Sequence, residues 1–308
     1  MIDLHLLDTL LPVNSAGSFF IVKIGKRTVK ITFLLLLIIA AAVDIAVSQK
    51  FLSLQQYNYS NLKVKTGVRI VQLSDLHNYQ FGKNNSRLIG KIYEQTPDMI
   101  LMTGDMLNGD DDSLNSLLSV VRQCVQIAPV YFSYGNHEKE YVGKFVSDEE
   151  FRAQIEQAGA CVLDKEYADI RVNGQEIRIG GIYGYVLSDT SEAGDRSEQI
   201  FMKEFTDTDR LKILLSHIPE GLLLWKSMER WDVDLIFSGH VHGGQVRLPF
   251  MGGLYDPEEG YFPEYTKGIF QCGYGTMILS GGLGSSRGVP RVNNLPELVV
   301  CQIIPPKG

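Results

Sequence analysis

Five short apolar runs in this chain each stop at a polar loop, and those loops hold five of its six histidines. Val68–Leu73 leads into Ser74-Asp75-Leu76-His77, and Met99–Met102 into Thr103-Gly104-Asp105. Val130–Phe132 leads into Ser133-Tyr134-Gly135-Asn136-His137-Glu138. Residues 211–215 lead into Ser216-His217, and 233–237 into Ser238-Gly239-His240-Val241-His242. Unbroken apolar runs of this length read as buried strands of a central sheet. Residues 85–95, 113–126 and 149–158 carry apolar positions at helical spacing, and Pro97 and Pro129 close the first two. The first half is therefore β-α-β-α-β. Further on, 169–172 and 175–179 flank Asn173-Gly174, a strong hairpin signal. Runs at 267–270, 276–280 and Glu297–Ile304 read as a second set of strands. The expected fold is α/β, a four-layer α/β/β/α sandwich.

In open α/β sheets, polar loops at the carboxyl ends of strands build the site. A single Asp after a strand is ordinarily a helix cap, and a single His an ordinary loop residue. Two Asp, one Asn and five His gathered in five such loops are not explained that way. These are oxygen and nitrogen donors without a thiolate, which suits Mn, Fe, Zn, Ni, Co or Mg over copper(I) or an iron–sulfur cluster. They outnumber the needs of one tetrahedral zinc. They suffice for two divalent ions about 3.5–4 Å apart, which activate a water and clamp a phosphoryl oxygen during in-line displacement. No donor here selects among Mn, Fe, Zn, Ni and Co.

Asp75-x-His77, Gly104-Asp105, Gly135-Asn136-His137-Glu138, His217 and Gly239-His240-x-His242 resemble the calcineurin-like metallophosphoesterase superfamily. All five blocks occur in that family's order, between residues 75 and 242. With the apolar N-terminal segment and the extended Gly239–Gln245 block, the likeness is to its membrane-anchored bacterial phosphodiesterase branch. The resemblance implies that Asp75, His77 and His242 hold one metal, and that Asn136, His217 and His240 hold the second. It implies that Asp105 bridges them, and that His137 faces substrate without ligating. The implied reaction is attack on a phosphodiester or pyrophosphate bond by a hydroxide bridging the metals. One departure concerns loop shape. The common first block continues as Asp-x-His-x-Gly, whereas this chain reads Asp75-Leu76-His77-Asn78-Tyr79.

Other residues carry weaker signals. Asn78 follows a ligand and either touches substrate or completes the turn. Glu138 either orients His137 or caps a helix. Arg287 and Arg291 flank a glycine-rich tail loop, and Arg suits phosphate recognition. Asp110-Asp111-Asp112 reads as a solvated loop outside the site. The apolar stretch 248–255 reads as core packing, or as a lip for a bulky or lipid-linked phosphoester.

Residues 31–47 form an apolar segment interrupted only by Asp44. Lys23, Lys26, Arg27 and Lys30 precede it and only Lys50 follows closely, so the positive-inside rule puts everything after Ser48 outside the cytoplasm. A buried core helix and a cleaved signal peptide are the alternatives. The expected organisation is a cytoplasmic segment at 1–30, a single-pass cell-membrane anchor at 31–48, a stalk at 49–65 and the catalytic domain at 66–308. The net charge of −7 gives no general grip on nucleic acid, and four cysteines without a C-x-x-C pair exclude a cysteine-rich zinc module. Phosphomonoesters, including phosphoproteins, are the alternative substrates. A membrane-tethered scaffold without catalysis is the alternative role.

Overall fold

The apolar runs form two six-stranded sheets whose inner faces pack together. The computed structural model describes residues 10–12, 19–21, 25–184, 196–224, 229–256, 259–285 and 289–306. The chain divides into two compact units, Met1–Val47 and Ser48–Gly308.

In the first unit, β1 (Leu10–Pro12) and β2 (Phe19–Ile21) pair antiparallel. Helix α1 (Lys26–Lys50) begins five residues before the apolar segment does. Its stretch Lys26–Ser48 has a mean hydropathy of 2.6 and is long and apolar enough to cross a membrane. At about 1.5 Å per residue it exceeds the ~30 Å hydrocarbon thickness. Phe33, Leu34, Leu37 and Ile38 are exposed, which the core-helix alternative does not accommodate.

In the second unit the first sheet runs β3 (Ser53–Ser60), β18 (Glu297–Ile304), β4 (Val68–Leu73), β5 (Met99–Met102), β6 (Val130–Phe132) and β7 (Cys161–Val162). The second runs β16 (Gly268–Cys272), β17 (Gly275–Leu279), β11 (Leu235–Ser238), β10 (Leu211–Ser216), β9 (Gln175–Ile182) and β8 (Glu166–Val172). The two-residue side-chain period sorts each strand between two cores. On β4, Val71 and Leu73 face one way, against α2 (Ser86–Glu94) and α3 (Asn115–Cys124), while Val68 and Ile70 enter the core between the sheets. On β10, Leu211, Ile213 and Leu215 enter that same middle core, and Leu214 packs outward with Phe201 and Phe205 of α5 (Arg196–Thr206). The result is the expected α/β/β/α sandwich. Asn173-Gly174 joins β8 to β9 as an antiparallel hairpin.

Two expectations are corrected. Residues 53–60, read as stalk, are a sheet strand paired over eight residues with β18. Ser, Gln and Asn on its open face made it look like a linker, yet Tyr57 and Tyr59 pack against the middle core and the Tyr59 hydroxyl donates to Asp234 O at 2.8 Å. Strand β18 was grouped with the second set of strands, but it sits between β3 and β4 in the first sheet. Both its faces are apolar, with Leu298 and Val300 in the helix-side core and Val299 and Cys301 in the middle one, so its pattern fits either sheet.

Candidate metal centre

Five strands end at the site, β4, β5 and β6 parallel within the first sheet and β10 and β11 parallel within the second, and their loops are laced by backbone hydrogen bonds. Asp75 N donates to Gly104 O, His77 N to Asp105 O, and Gly239 N to His217 O, each at 3.0 Å. Glycine permits this closeness at two joints. A Cβ on Gly135 would collide with the Asp105 carboxylate, and one on Gly239 with Ser74 and Asp75. The ligand candidates also sit in unusual backbone. Asp75, His77, Asp105, His240 and His242 all have positive φ, between 48° and 75°. Asp, Asn and His tolerate that region best among non-glycine residues, and such strain collects at functional sites.

The seven predicted ligands converge. His77 Nε2 lies 3.2 Å from His242 Nε2, and His242 Nε2 lies 3.6 Å from Asp75 Oδ1. Asn136 Oδ1 lies 3.2 Å from His217 Nε2 and 3.0 Å from His240 Nδ1. Between these groups stands Asp105 Oδ2, at 3.2 Å from His217 Nε2 and 3.8 Å from His77 Nε2. Asp75, His77 and His242 form one potential cation group, and Asp105, His217 and His240 another. His77, Asp105 and His137 make a third, with His137 Nε2 at 3.9 Å from Asp105 Oδ2. The donor set fits divalent ions on a direct observation: His240 Nε2 is buried with no hydrogen-bond partner.

Electrostatics agree. Burial pushes His77 down to about 4 and His240 down to about 3, and it holds His242 well below the ordinary range, so all three offer neutral lone pairs at pH 7. His217 goes the other way. Burial opposes its charge, but the Asp105 carboxylate, a hydrogen bond to it and the charge of Asp75 raise it to about 10. Burial raises Asp75 to about 6. Asp105 is lowered, because the neighbouring His217, His77 and His137 outweigh its burial.

Several groups that hold this cluster were not identified as such from sequence. Glu138 is fully buried and does cap a helix, accepting from Gly135 N at 2.8 Å at the start of 136–144, but it also accepts from Asp105 N at 2.7 Å and Met106 N at 2.8 Å, which the sequence did not indicate. Asn108 Oδ1 faces His77 Nδ1 at 3.1 Å. Asp111, set aside as solvated, accepts from Asn108 N at 2.6 Å and from Asn78 Nδ2 at 2.5 Å. Asn78 thus braces the neighbouring loop. Gly109 N donates to His137 Nδ1 at 2.9 Å, leaving the proton of the neutral ring on Nε2, toward the cluster. Arg291 is buried rather than open to substrate: it donates to Gly281 O at 2.7 Å and Gly284 O at 2.8 Å, and lies 3.3 Å from His242 Nδ1. Arg287 lies outside the described residues.

A layered sandwich with a histidine- and carboxylate-lined cluster at its strand ends defines a metal-dependent hydrolase. Residues 68–244 match the calcineurin-like phosphoesterase family. The chain belongs to that family and is a metal-dependent phosphoesterase. It is 30% identical over 240 residues to the uncharacterized metallophosphoesterase YkuE of Bacillus subtilis (strain 168), covering 76% of this chain and 78% of the relative. It is 26% identical to the phosphodiesterase YaeI of Escherichia coli (strain K12), over 77% of this chain and 82% of that one. Among solved structures, the 5'-nucleotidase precursor of Thermus thermophilus matches at 15% identity and a TM-score of 0.44. That match covers 78% of this chain and 54% of that one, so the chain spans about half its length.

Proposed function

We propose that this chain is a membrane-anchored phosphohydrolase that uses two divalent ions to cleave phosphodiester or pyrophosphate bonds by in-line attack. The convergence of six donors in two groups on either side of Asp105 carries the reading. Asp75, His77 and His242 would hold one ion, Asn136, His217 and His240 the other, and Asp105 both. When bound, such a pair supplies a nucleophilic water and neutralises charge on the phosphoryl oxygens. The protein's own groups do the rest. Asp105 presents Oδ2 to both halves of the cluster because its Oδ1 is engaged by His137 N at 2.9 Å. His240 N donates to Asp75 Oδ1 at 2.9 Å and so fixes the carboxylate beside His242. His137 offers Nε2–H to a phosphoryl or leaving oxygen, with its ring set by Gly109.

The diester reading draws support from YaeI, a relative named a phosphodiesterase. We read α1 as the anchor, with the body outside the cytoplasm, on the flanking charge. A membrane-impermeant label should reach the body in intact cells; protection of the body would reverse that orientation. The activity test is hydrolysis of bis-p-nitrophenyl phosphate by the full chain with added Mn²⁺ against EDTA. Turnover should require metal, and Asp105→Asn should abolish it while weakening both ions. Normal turnover by that variant would sink the shared-carboxylate assignment. Turnover of monoesters alone would move the reading to phosphomonoesterase.

A further inference from the structure

Two short hairpins stand beside the His242 turn and expose an unusual run of large apolar side chains. Strand β12 (Arg247–Leu248) pairs with β13 (Gly252–Gly253), and β14 (Tyr255–Asp256) pairs with β15 (Gly260–Tyr261). They are joined to the metal centre through backbone: Leu254 N donates to Val246 O at 2.8 Å and Gly244 O at 3.2 Å, two residues from His242. Phe250 is 108% exposed, Tyr261 74% and Met251 60%, with Phe262 and Tyr255 exposed beside them. Phe250 and Phe262 also hold positive φ, at 68° and 59°. For bulky residues that conformation is costly and marks a constrained position. Leu248, in contrast, is half-buried, so 248–255 is neither wholly core packing nor wholly surface.

We propose that the Phe250–Met251 turn of the first hairpin, with the exposed aromatic side chains beside it, docks on the lipid bilayer to which α1 anchors the chain. The inference rests on the anchored reading above. Three observations select a bilayer as occupant. The same chain carries a helix able to cross one, so a second, weak engagement is intramolecular and needs little affinity of its own. Five side chains are far fewer than the roughly 20–30 residues a stable protein interface presents on each side. Phe, Tyr and Met with two tyrosine hydroxyls match the headgroup boundary, where aromatic residues gather. Residues 248–263 contain no Lys or Arg; Asp256, Glu258 and Glu259 fall among them, between the start of β14 and the end of β15, and Glu264 follows. Arg247 is turned inward, donating to Gly243 O at 2.8 Å. The surface therefore suits neutral lipid and gains nothing from anionic headgroups. Docking would set the His242 turn at the lipid surface and bias the site toward lipid-linked phosphoesters.

The test uses the full chain reconstituted in phosphatidylcholine vesicles whose acyl chains carry bromine, a short-range tryptophan quencher. Phe250→Trp, with Met251→Trp as a second reporter should the first misfold, is compared with the unmodified chain and with Tyr93→Trp, an exposed position on α2. Loss of fluorescence is expected for the hairpin reporters, none beyond the unmodified chain for Tyr93→Trp, and no gain on replacing phosphatidylcholine by an anionic lipid. If the chain floats with the vesicles while the hairpin reporters stay bright, the docking inference falls and the anchor stands. If the chain does not float, both fall. A concentration-dependent blue shift without lipid would assign the surface to a second copy and overturn the proposal.

Discussion

On the assignment proposed above, His217 is the histidine ligand whose proton a cation must displace at neutral pH. Its ring is held protonated up to about 10, whereas His77 and His240 are neutral above about 4 and 3. The metal-free protein therefore binds a proton there that the metal-bound form does not. Affinity for Mn²⁺ should rise about tenfold per pH unit between roughly pH 6 and 9. Below about 6 it should fall more steeply, as Asp75 takes up a second proton. Calorimetric titration in buffers of different ionisation enthalpy counts the released protons; a flat profile would remove His217 from the ligands. His137→Ala should keep both ions and lose about a hundredfold or more in rate. Loss of an ion would instead make His137 a ligand, as its 3.9 Å approach to Asp105 allows. The converging residues were legible in sequence because each follows an apolar run directly. Glu138 was legible only as a helix cap, and Asn108 and Arg291 not in these roles, because what they hold beyond that is largely the backbone of other loops or a ring brought near by folding. Spacing along a chain does not reveal such partners.

At the scale of elements, α4 (Asn136–Lys144) begins at the proposed ligand Asn136, and its first turn sends Glu138 back beneath the β5 loop. That one carboxylate ties α4 to the backbone carrying Asp105. Glu138→Ala would leave three buried N–H groups unpaired, and about 3 kcal/mol or more of stability should go with them. Urea unfolding of the metal-free chain measures this; a loss under about 1 kcal/mol would mean that water or a shifted loop replaces the carboxylate. Most strands were readable because their ends are chemical boundaries, apolar run to ligand loop. The edge strand β3 was not, since one face is polar and its partner β18 lies at the far end of the sequence. Register between distant strands is set by shared cores, and local pattern carries no record of it.

The body as a whole is closed by β18, which lies between β3 and β4 in the first sheet. A chain ending before Glu297 loses the central partner of both strands and exposes the middle core. It should show no cooperative unfolding and be cut rapidly by protease; a protected body would mean that the second sheet and helices suffice. The same feature dictates an order of events during synthesis. The sheet bearing Asp75 and Asp105 stays incomplete until residues 297–304 have left the ribosome, because theirs is the longest-range pairing among the described strands. Under the topology proposed above, the body then crosses the bilayer as open polypeptide and acquires its ions only on arrival. The cation supply of the destination compartment, rather than that of the cytoplasm, would decide which metals the enzyme carries.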